Sequence, residues 1–411
     1  MDEKEDLNAR ALEYHEFPFP GKTSVLVTKS TVCQADLSLA YTPGVAAPVL
    51  AIADNPANAY RYTNKGNLIA VLTNGTAVLG LGNLGPLASK PVMEGKAVLF
   101  KQFADIDAFD IEVDATDPQA FIATAKNIAP TFGGINLEDI KAPDCFEIEQ
   151  ALIEQLDIPV FHDDQHGTAI VVAAGLLNAL EIQQKRLSEV KIVCIGSGAA
   201  GIASMRLLLA LGAQKENMIL LDTKGVIHTE RQDLNDYKRP FAQFTAKRTL
   251  ADAMVGADVF IGVAKPDLLS PDLLKLMALK PIIFALSNPD PEIRPELAYE
   301  VCDDIVIATG RSDYPNQVNN VLCFPYIFRG ALDVRARCIN QSMQIAAVEA
   351  IRQLVHESVP QVVKDNYPGT LNWEFGPQYI IPKPIDPRLR ERVSAAVSQA
   401  AIASGVSQII T

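Results

Sequence analysis

The chain reads as an α/β protein in which an N-terminal mixed α/β lobe is followed by a doubly wound parallel-sheet domain and C-terminal helices. Three observations predict this. From Val190 onward, short aliphatic runs recur at 190–195, 218–222, 258–263, 282–286 and 304–308. Segments long enough for helices separate several of them, which is the pattern of βαβ units in a largely parallel sheet. The first of these runs enters a glycine turn, Gly196-Ser-Gly198-Ala199-Ala200-Gly201, and continues into the apolar stretch 202–211. Before residue 160 the apolar runs, such as 68–72 and 97–100, are irregular and broken by Gly-rich turns such as Gly80-Leu-Gly-Asn-Leu-Gly85.

Taken in order, residues 1–162 form the first lobe and 163–340 the doubly wound domain, with 341–411 a helical segment that completes the fold. The stretch 167–179 has small and aliphatic residues on all sides and no charge. A helix buried between layers has that composition, so the junction is placed just before it. The run 331–354 has few breakers and reads as one long helix; the tail after Pro360 reads as loop and then a final helix over 387–403. There is no internal repeat and no low-complexity linker.

At 411 residues, with 48% hydrophobic and 21% charged, the chain has the composition of a globular protein of two or three domains at about 150 residues each. The formal charge of −13 argues against nucleic acid or an anionic membrane as partner, since both call for a clustered basic face. A small anionic substrate then needs locally placed cations. The start, Met1-Asp2-Glu3-Lys4-Glu5-Asp6, has neither a basic nor an apolar signal region. The longest apolar stretch, 169–180, is shorter than the roughly 18 residues of a membrane span. Six scattered cysteines with no Cys-x-x-Cys pair read as thiols in a reducing compartment. The expectation is a cytoplasmic protein.

The glycine turn is the strongest local signal. Its glycines permit a tight turn, let backbone N–H groups approach a pyrophosphate and allow close helix–strand packing, so Gly196, Gly198, Ala199, Ala200 and Gly201 are candidate dinucleotide contacts in a Rossmann-like domain. Asp222 ends the next strand about twenty residues after Gly201, as the fingerprint requires. An acid there accepts from the ribose 2′-OH and favours NAD, whereas Lys224 is either a solvated turn residue or a ligand for the 2′-phosphate of NADP. The choice between NAD and NADP stays open. Asn288, after the strand 282–286, is either a carboxylate or nicotinamide ligand or a turn-forming Asn before Pro289.

Two acidic pairs lie in the first lobe. Glu138-Asp139 follows Gly133-Gly-Ile-Asn136, and Asp163-Asp164 follows the apolar run 158–161. Hard cations such as Mg²⁺ and Mn²⁺ prefer several carboxylate oxygens, and two loop pairs can converge into such a site or remain solvated. The spacing His162-Asp-Asp-Gln-His166 imitates a zinc-protease helix. The acid is Asp rather than Glu and the first His follows a strand, so both histidines read as structural. Lys96 is either an exposed turn residue or, if desolvated beside a cation, a general base with a lowered pKa. Tyr41 is either a packed residue before a turn or a proton donor.

In order along the chain stand Leu39-Ala-Tyr-Thr-Pro-Gly-Val45, Val78-Leu-Gly-Leu-Gly-Asn-Leu-Gly85, Gly95-Lys96, Ile135-Asn-Leu-Glu-Asp139 and His162-Asp-Asp-Gln-His-Gly-Thr168. Gly196–Gly201, Ser287-Asn-Pro289 and Gln317-Val-Asn-Asn320 follow. This series resembles the malic enzymes over nearly the whole chain, in their short bacterial form and without a phosphate-acetyltransferase-like extension. The resemblance implies metal-dependent oxidative decarboxylation of (S)-malate to pyruvate and CO2 with reduction of NAD or NADP, through bound oxaloacetate and enolpyruvate. It implies that Glu138, Asp139 and Asp164 bind Mg²⁺ or Mn²⁺ with Asp163 close behind, and that Lys96 and Tyr41 are base and acid. Asn288, Asn319 and Asn320 match positions that hold substrate or nicotinamide.

One departure stands out. Long forms of the family have an Arg just before the Leu-Gly-Leu-Gly run to pair with a substrate carboxylate, and here that place is Val78. Backbone amides and asparagines, a cation such as Lys101, or a residue of a partner subunit must serve instead, which is one reason to expect a homodimer or larger homo-oligomer. The alternatives on the same fold are an oxaloacetate decarboxylase and a malolactic-type enzyme; a silent nucleotide sensor would lack the base or a ligand.

Overall fold

The protein was studied as a computed structural model, which describes residues 3–367 and 372–409. Two parallel sheets carry the fold. The first contains β1 (Leu68–Thr73), β2 (Asp107–Glu112), β3 (Gly134–Leu137) and β4 (Val160–His162), in the order β2-β1-β3-β4. Every residue of β1, β3 and β4 is buried. Strands covered on both faces favour continuous apolar runs over alternation, which is why Leu-Ile-Ala-Val-Leu at 68–72 forms the centre of this sheet.

The second sheet contains β5 (Ile192–Ile195), β6 (Met218–Asp222), β7 (Gly225–Val226), β8 (Val259–Gly262), β9 (Ile282–Ala285) and β10 (Val306–Thr309), in the order β10-β9-β8-β5-β6-β7. All its pairings are parallel except β6 with β7. The five recurring aliphatic runs are therefore the five parallel strands. The chain leaves β5 on one side for β6 and returns on the other for β8, and ligands collect at such a reversal, outside the carboxyl ends of the strands.

The helix Asp163–Gln183 joins the two halves. It begins where β4 ends, is buried over most of its length, and packs against the helix Ala199–Ala210 that follows the glycine turn. Gly175 lets it approach β9, since a Cβ there would sit 3.2 Å from the Phe284 ring.

One local expectation differs from the structure, and two further stretches gain detail. The apolar run 97–100 lies inside the helix Pro86–Ala104, which opens with a proline at its first turn and closes at Asp105 in the left-handed region, φ 51°. The run 331–354 is not one helix. It divides into Phe324–Asp333 and Gln341–Gln353, separated at Arg335 (φ 47°). Asn340 starts the second helix by accepting a hydrogen bond from Met343 N at 3.1 Å, and an Asn at this position stabilises a helix start by about 1 kcal/mol. The final helix is Arg388–Ala403. Part of the expected loop before it, 368–371, lies outside the described residues.

The helices Phe324–Asp333 and Arg388–Ala403 cross at Gly330, where an added Cβ would lie 2.5 Å from Ser394 O and 2.8 Å from Val397 Cβ. Among the described residues no helix is long and apolar enough to cross a membrane. Gly330→Ala is expected to destabilise the fold by about 1–3 kcal/mol through overpacking; unchanged thermal denaturation would show that the crossing yields without cost.

Candidate active site

The carboxyl ends of the first sheet converge on one buried ammonium. β3 runs into Glu138 and Asp139, and β4 into Asp163 and Asp164, which occupy the first turn of the helix Asp163–Gln183 rather than a loop. A helix N-terminus carries partial positive charge, so two aspartates are favoured there. Lys96, in the helix Pro86–Ala104, is buried and not in a turn. Its Nζ lies 2.6 Å from Asp163 Oδ2, 2.8 Å from Glu138 Oε1 and 4.0 Å from the Phe324 ring centroid. The Asn320 side-chain amide donates to Asp163 Oδ2 as well, which ties the region after β10 to the acids of the first sheet. Asn136 Nδ2 donates to Glu138 Oε2 at 2.8 Å, and the Asp139 backbone N–H to Asp164 Oδ2 at 2.9 Å.

Charge is unbalanced in this group. Burial raises the carboxyl pKa of Glu138, Asp139 and Asp164, and that of Asp163 to about 6, against the pull of Lys96. Burial also acts to lower Lys96, but Asp163 and Glu138 outweigh it and hold the ammonium well above its ordinary value. The sequence-based expectation of a lowered pKa for Lys96 is conditional on a cation beside it. A lowered lysine requires a further cation drawing on the same carboxylates. His162, fully buried beside them, is held down to about 4 and adds no positive charge near neutrality.

The donor set fits a hard divalent cation. Asp139 Oδ2 and Asp163 Oδ1 are buried oxygens with no hydrogen-bond partner among the described residues, and four carboxylates face a single lysine. Oxygen-rich, negatively charged groups of this kind suit Mg²⁺ or Mn²⁺. As the side chains stand, no three Asp, Glu, His or Cys residues among the described residues are grouped closely enough to hold an ion. The physical reason is local: Lys96 engages Glu138 and Asp163, and Asp164 accepts from the backbone of Asp139.

Glu149, which the motifs did not single out, organises the histidines. Buried on the helix Asp144–Gln155, it accepts from His162 N at 2.7 Å, Gln165 Nε2 at 3.0 Å and His166 Nε2 at 2.9 Å. Burial opposes its charge, but His166 and His162 prevail and its pKa is lowered. His166 is thus tied to a carboxylate, consistent with a structural role for the pair. The only signal in the sequence was an acid amid the apolar residues of a helix.

The glycine turn shows three different steric situations. Gly196 has φ 109°, and a Cβ on Gly201 would lie 1.8 Å from Gly196 O, so the turn and the close helix–strand packing both need glycine. Nothing lies within 4 Å of a Cβ built on Gly198. The turn therefore leaves open, at the N-terminus of the helix Ala199–Ala210, the space in which a pyrophosphate is ordinarily held. Around it, buried Glu292 accepts from Ala264 N at 3.0 Å and Ser287 N at 3.1 Å, linking the turns beyond β8 and β9.

The remaining candidates divide. Asp222 lies at the end of β6 with its oxygens engaged by Arg231, Lys238 and the backbone N–H of Lys224. Asn288 is exposed, its amide 3.4 Å from Leu286 O. Asn319 caps the turn Asn320–Leu322, accepting from Val321 N at 2.9 Å. Tyr41, at the end of the helix Gln34–Ala40, is 74% exposed, and no hydrogen bond joins it to the Lys96 group. Lys101 cannot replace the missing arginine as it stands: it is exposed and paired with Asp105 at 2.7 Å and Asp107 at 3.0 Å. Val78 is buried.

Comparison with known proteins agrees with this architecture. The family described as "Malic enzyme, N-terminal domain" matches residues 20–153, and "Malic enzyme, NAD binding domain" matches 165–369. An NADP-dependent malic enzyme of Halomonas elongata is 63% identical over 97% of this chain and 94% of its own length. That of Escherichia coli K12 is 57% identical over 99% of this chain, which spans only 54% of that longer protein. The crystal structure of malic enzyme from Pyrococcus horikoshii superposes with a TM-score of 0.91 at 44% identity, covering 98% of this chain and 93% of the other. With both halves matched in order and the fold shared throughout, the chain belongs to the malic enzyme family.

Proposed function

We propose that the protein is a metal-dependent, NAD(P)-linked enzyme that oxidises (S)-malate at C2 and releases CO2 and pyruvate. The observation that carries this reading is Lys96, buried between Asp163 and Glu138 at the carboxyl ends of the first sheet, with Asn320 reaching the same Asp163 from the nucleotide-binding half. Glu138, Asp139 and Asp164 would hold Mg²⁺ or Mn²⁺. When bound, the dinucleotide would accept the C2 hydride and the cation would polarise the C2 oxygen, easing loss of the carboxyl group carried on C3 as CO2.

Lys96 takes the proton of the C2 hydroxyl. Its ammonium is stabilised by Asp163 and Glu138, so it becomes a competent base when those carboxylates turn their charge toward a cation. Asp163 holds Lys96 in place, and Asn320 fixes Asp163. Tyr41 supplies the proton that C3 acquires. Asn288 and Asn319 lie on the turns that border nicotinamide and substrate. With Lys101 engaged elsewhere, backbone amides of the 80–85 turn or a partner subunit hold the substrate carboxylate.

Tyr41 joins the site through assembly. The segment that carries it exposes Phe19, Val25, Leu26, Val32 and Leu39, each by more than three quarters. So many exposed apolar side chains on one segment are normally covered by a partner, and we assign a second copy of the chain. The reaction belongs in the cytoplasm, where the six free cysteines stay reduced.

With malate and Mn²⁺, dinucleotide reduction is expected to match pyruvate formed one for one; pyruvate only from added oxaloacetate would instead make the protein a decarboxylase. Lys96→Ala should lower turnover by roughly 10²–10⁴-fold while dinucleotide binding persists, and loss of binding with turnover intact at saturation would remove the base assignment. Millimolar Mn²⁺ should raise the melting temperature of the native protein, and Glu138→Gln and Asp164→Asn should each diminish that rise; equal shifts in all three would place the metal elsewhere. Light scattering under assay conditions should give at least a dimer, and a fully active monomer would refute the role of assembly.

A further inference from the structure

Glu292 is a buried acid with no part in the proton transfers. It stands in the segment after β9, is fully buried, and sends its two oxygens to different turns. Oε1 accepts from Ala264 N beyond β8 at 3.0 Å, and Oε2 from Ser287 N beyond β9 at 3.1 Å. Its carbonyl accepts from Leu269 N at 2.9 Å, so backbone and side chain are both fixed. Gly262, the last residue of β8, makes room for it, since a Cβ there would lie 2.4 Å from Glu292 Cδ. Among the described residues no Lys, Arg or His pairs with this carboxylate; its partners are backbone N–H groups.

A buried carboxylate without a cation is costly, and a position that tolerates one calls for a reason. With an N–H aimed at each oxygen, the group is arranged for its ionised form, which accepts on both. Burial raises its pKa, and the backbone donors oppose that rise. The charge is felt in the neighbouring strand: burial first, and Glu292 after it, raise the Cys194 thiol in β5 to about 12. Glu292 therefore lies by β5, β8 and β9, which are adjacent where the strand order reverses.

A doubly wound nucleotide domain is built of two mononucleotide-binding halves, and the dinucleotide lies across the crevice between them. β5 leads into the glycine turn and β6 ends in Asp222, the place of the acid that faces the adenosine ribose, so this half takes the adenosine. The nicotinamide then falls to the half formed by β8, β9 and β10, whose first two turns are the ones that Glu292 joins. A nicotinamide ring is cationic when oxidised and neutral once it carries the added hydride, and protein charge near it tunes that balance.

We infer that Glu292 is an electrostatic positioning residue for the nicotinamide: it ties together the turns beyond β8 and β9 and places a fixed negative charge beside them, which favours the cationic, oxidised dinucleotide over the neutral, reduced one. The carboxylate neither gains nor loses a proton in this role. The inference rests on the glycine turn holding a dinucleotide. It is independent of which acid is oxidised and of whether NAD or NADP is used.

The test is calorimetric titration of the whole protein, without malate or metal, by NADP⁺ and NADPH and by NAD⁺ and NADH, read on whichever pair binds more tightly. Glu292→Gln removes the charge at nearly constant volume and should weaken the oxidised member relative to the reduced one by roughly tenfold, the size expected of one charge acting across a turn in a partly buried site. Glu292→Asp keeps the charge and should hold the affinity ratio within roughly threefold of that of the native protein. A role confined to packing the turns would weaken both members alike in Glu292→Gln, and that result, or an equal loss of the ratio in Glu292→Asp, would overturn the assignment. If Glu292→Gln does not fold, the native protein decides: the oxidised member should bind at least as tightly as the reduced one, and a reduced member bound roughly tenfold tighter would count against the inference. The expected ratios without malate-dependent reduction would leave it standing while removing the proposed reaction; binding of none of the four ligands would remove it together with the nucleotide site.

Discussion

Four carboxylates gathered around one buried ammonium set the terms for the rest of the molecule. Bringing like charges out of water is costly unless opposite charge and hydrogen bonds accompany them, so Lys96 must reach Asp163 and Glu138 from a different element. The helix Pro86–Ala104 does this while packed against β1 and β2, with Phe100 edge-on to Phe324 and Phe328. Asn136, Asn320 and the backbone of Asp139 supply the remaining donors. One lysine does not balance four acids, and that residual charge is what supports the proposal of a divalent cation here.

The helix Asp163–Gln183 couples this chemistry to the nucleotide half. Its first turn presents the two aspartates, its middle is uncharged and buried, and its flank packs against the helix that follows the glycine turn. A displacement of this helix would move Asp163 and the nucleotide turn together. Glu149 anchors its start from the side, through the backbone of His162 and the side chains of Gln165 and His166. The paired histidines, which resemble metal ligands by spacing, are thereby engaged in holding the helix in place.

At the other end of the nucleotide site, the same physics is used differently. Asp222 lies at a partly open strand end, with its pKa held down to about 2 by Arg231 and Lys238 against the opposing effect of burial. Here the cations outnumber the acids, whereas around Lys96 the acids outnumber the cation. One group thus carries an excess of acids and the other an excess of basic side chains, although both hold conspicuous aspartates.

By itself the sequence determined the doubly wound domain, because β-strands covered on both faces demand aliphatic runs and the glycine turn demands residues without a Cβ; both requirements are local and visible in composition. It likewise marked the acidic pairs, Lys96 and Asn320 as chemistry-bearing, since each stands in a motif. It did not reveal that Lys96 is helical and buried, that 331–354 breaks at Arg335, that Glu149 ties down the histidines, or that Asp222 is saturated by Arg231 and Lys238. Only the tertiary structure decided these, because burial, pairing and the state of a charge depend on which distant side chains meet, and spacing along a chain does not encode those encounters.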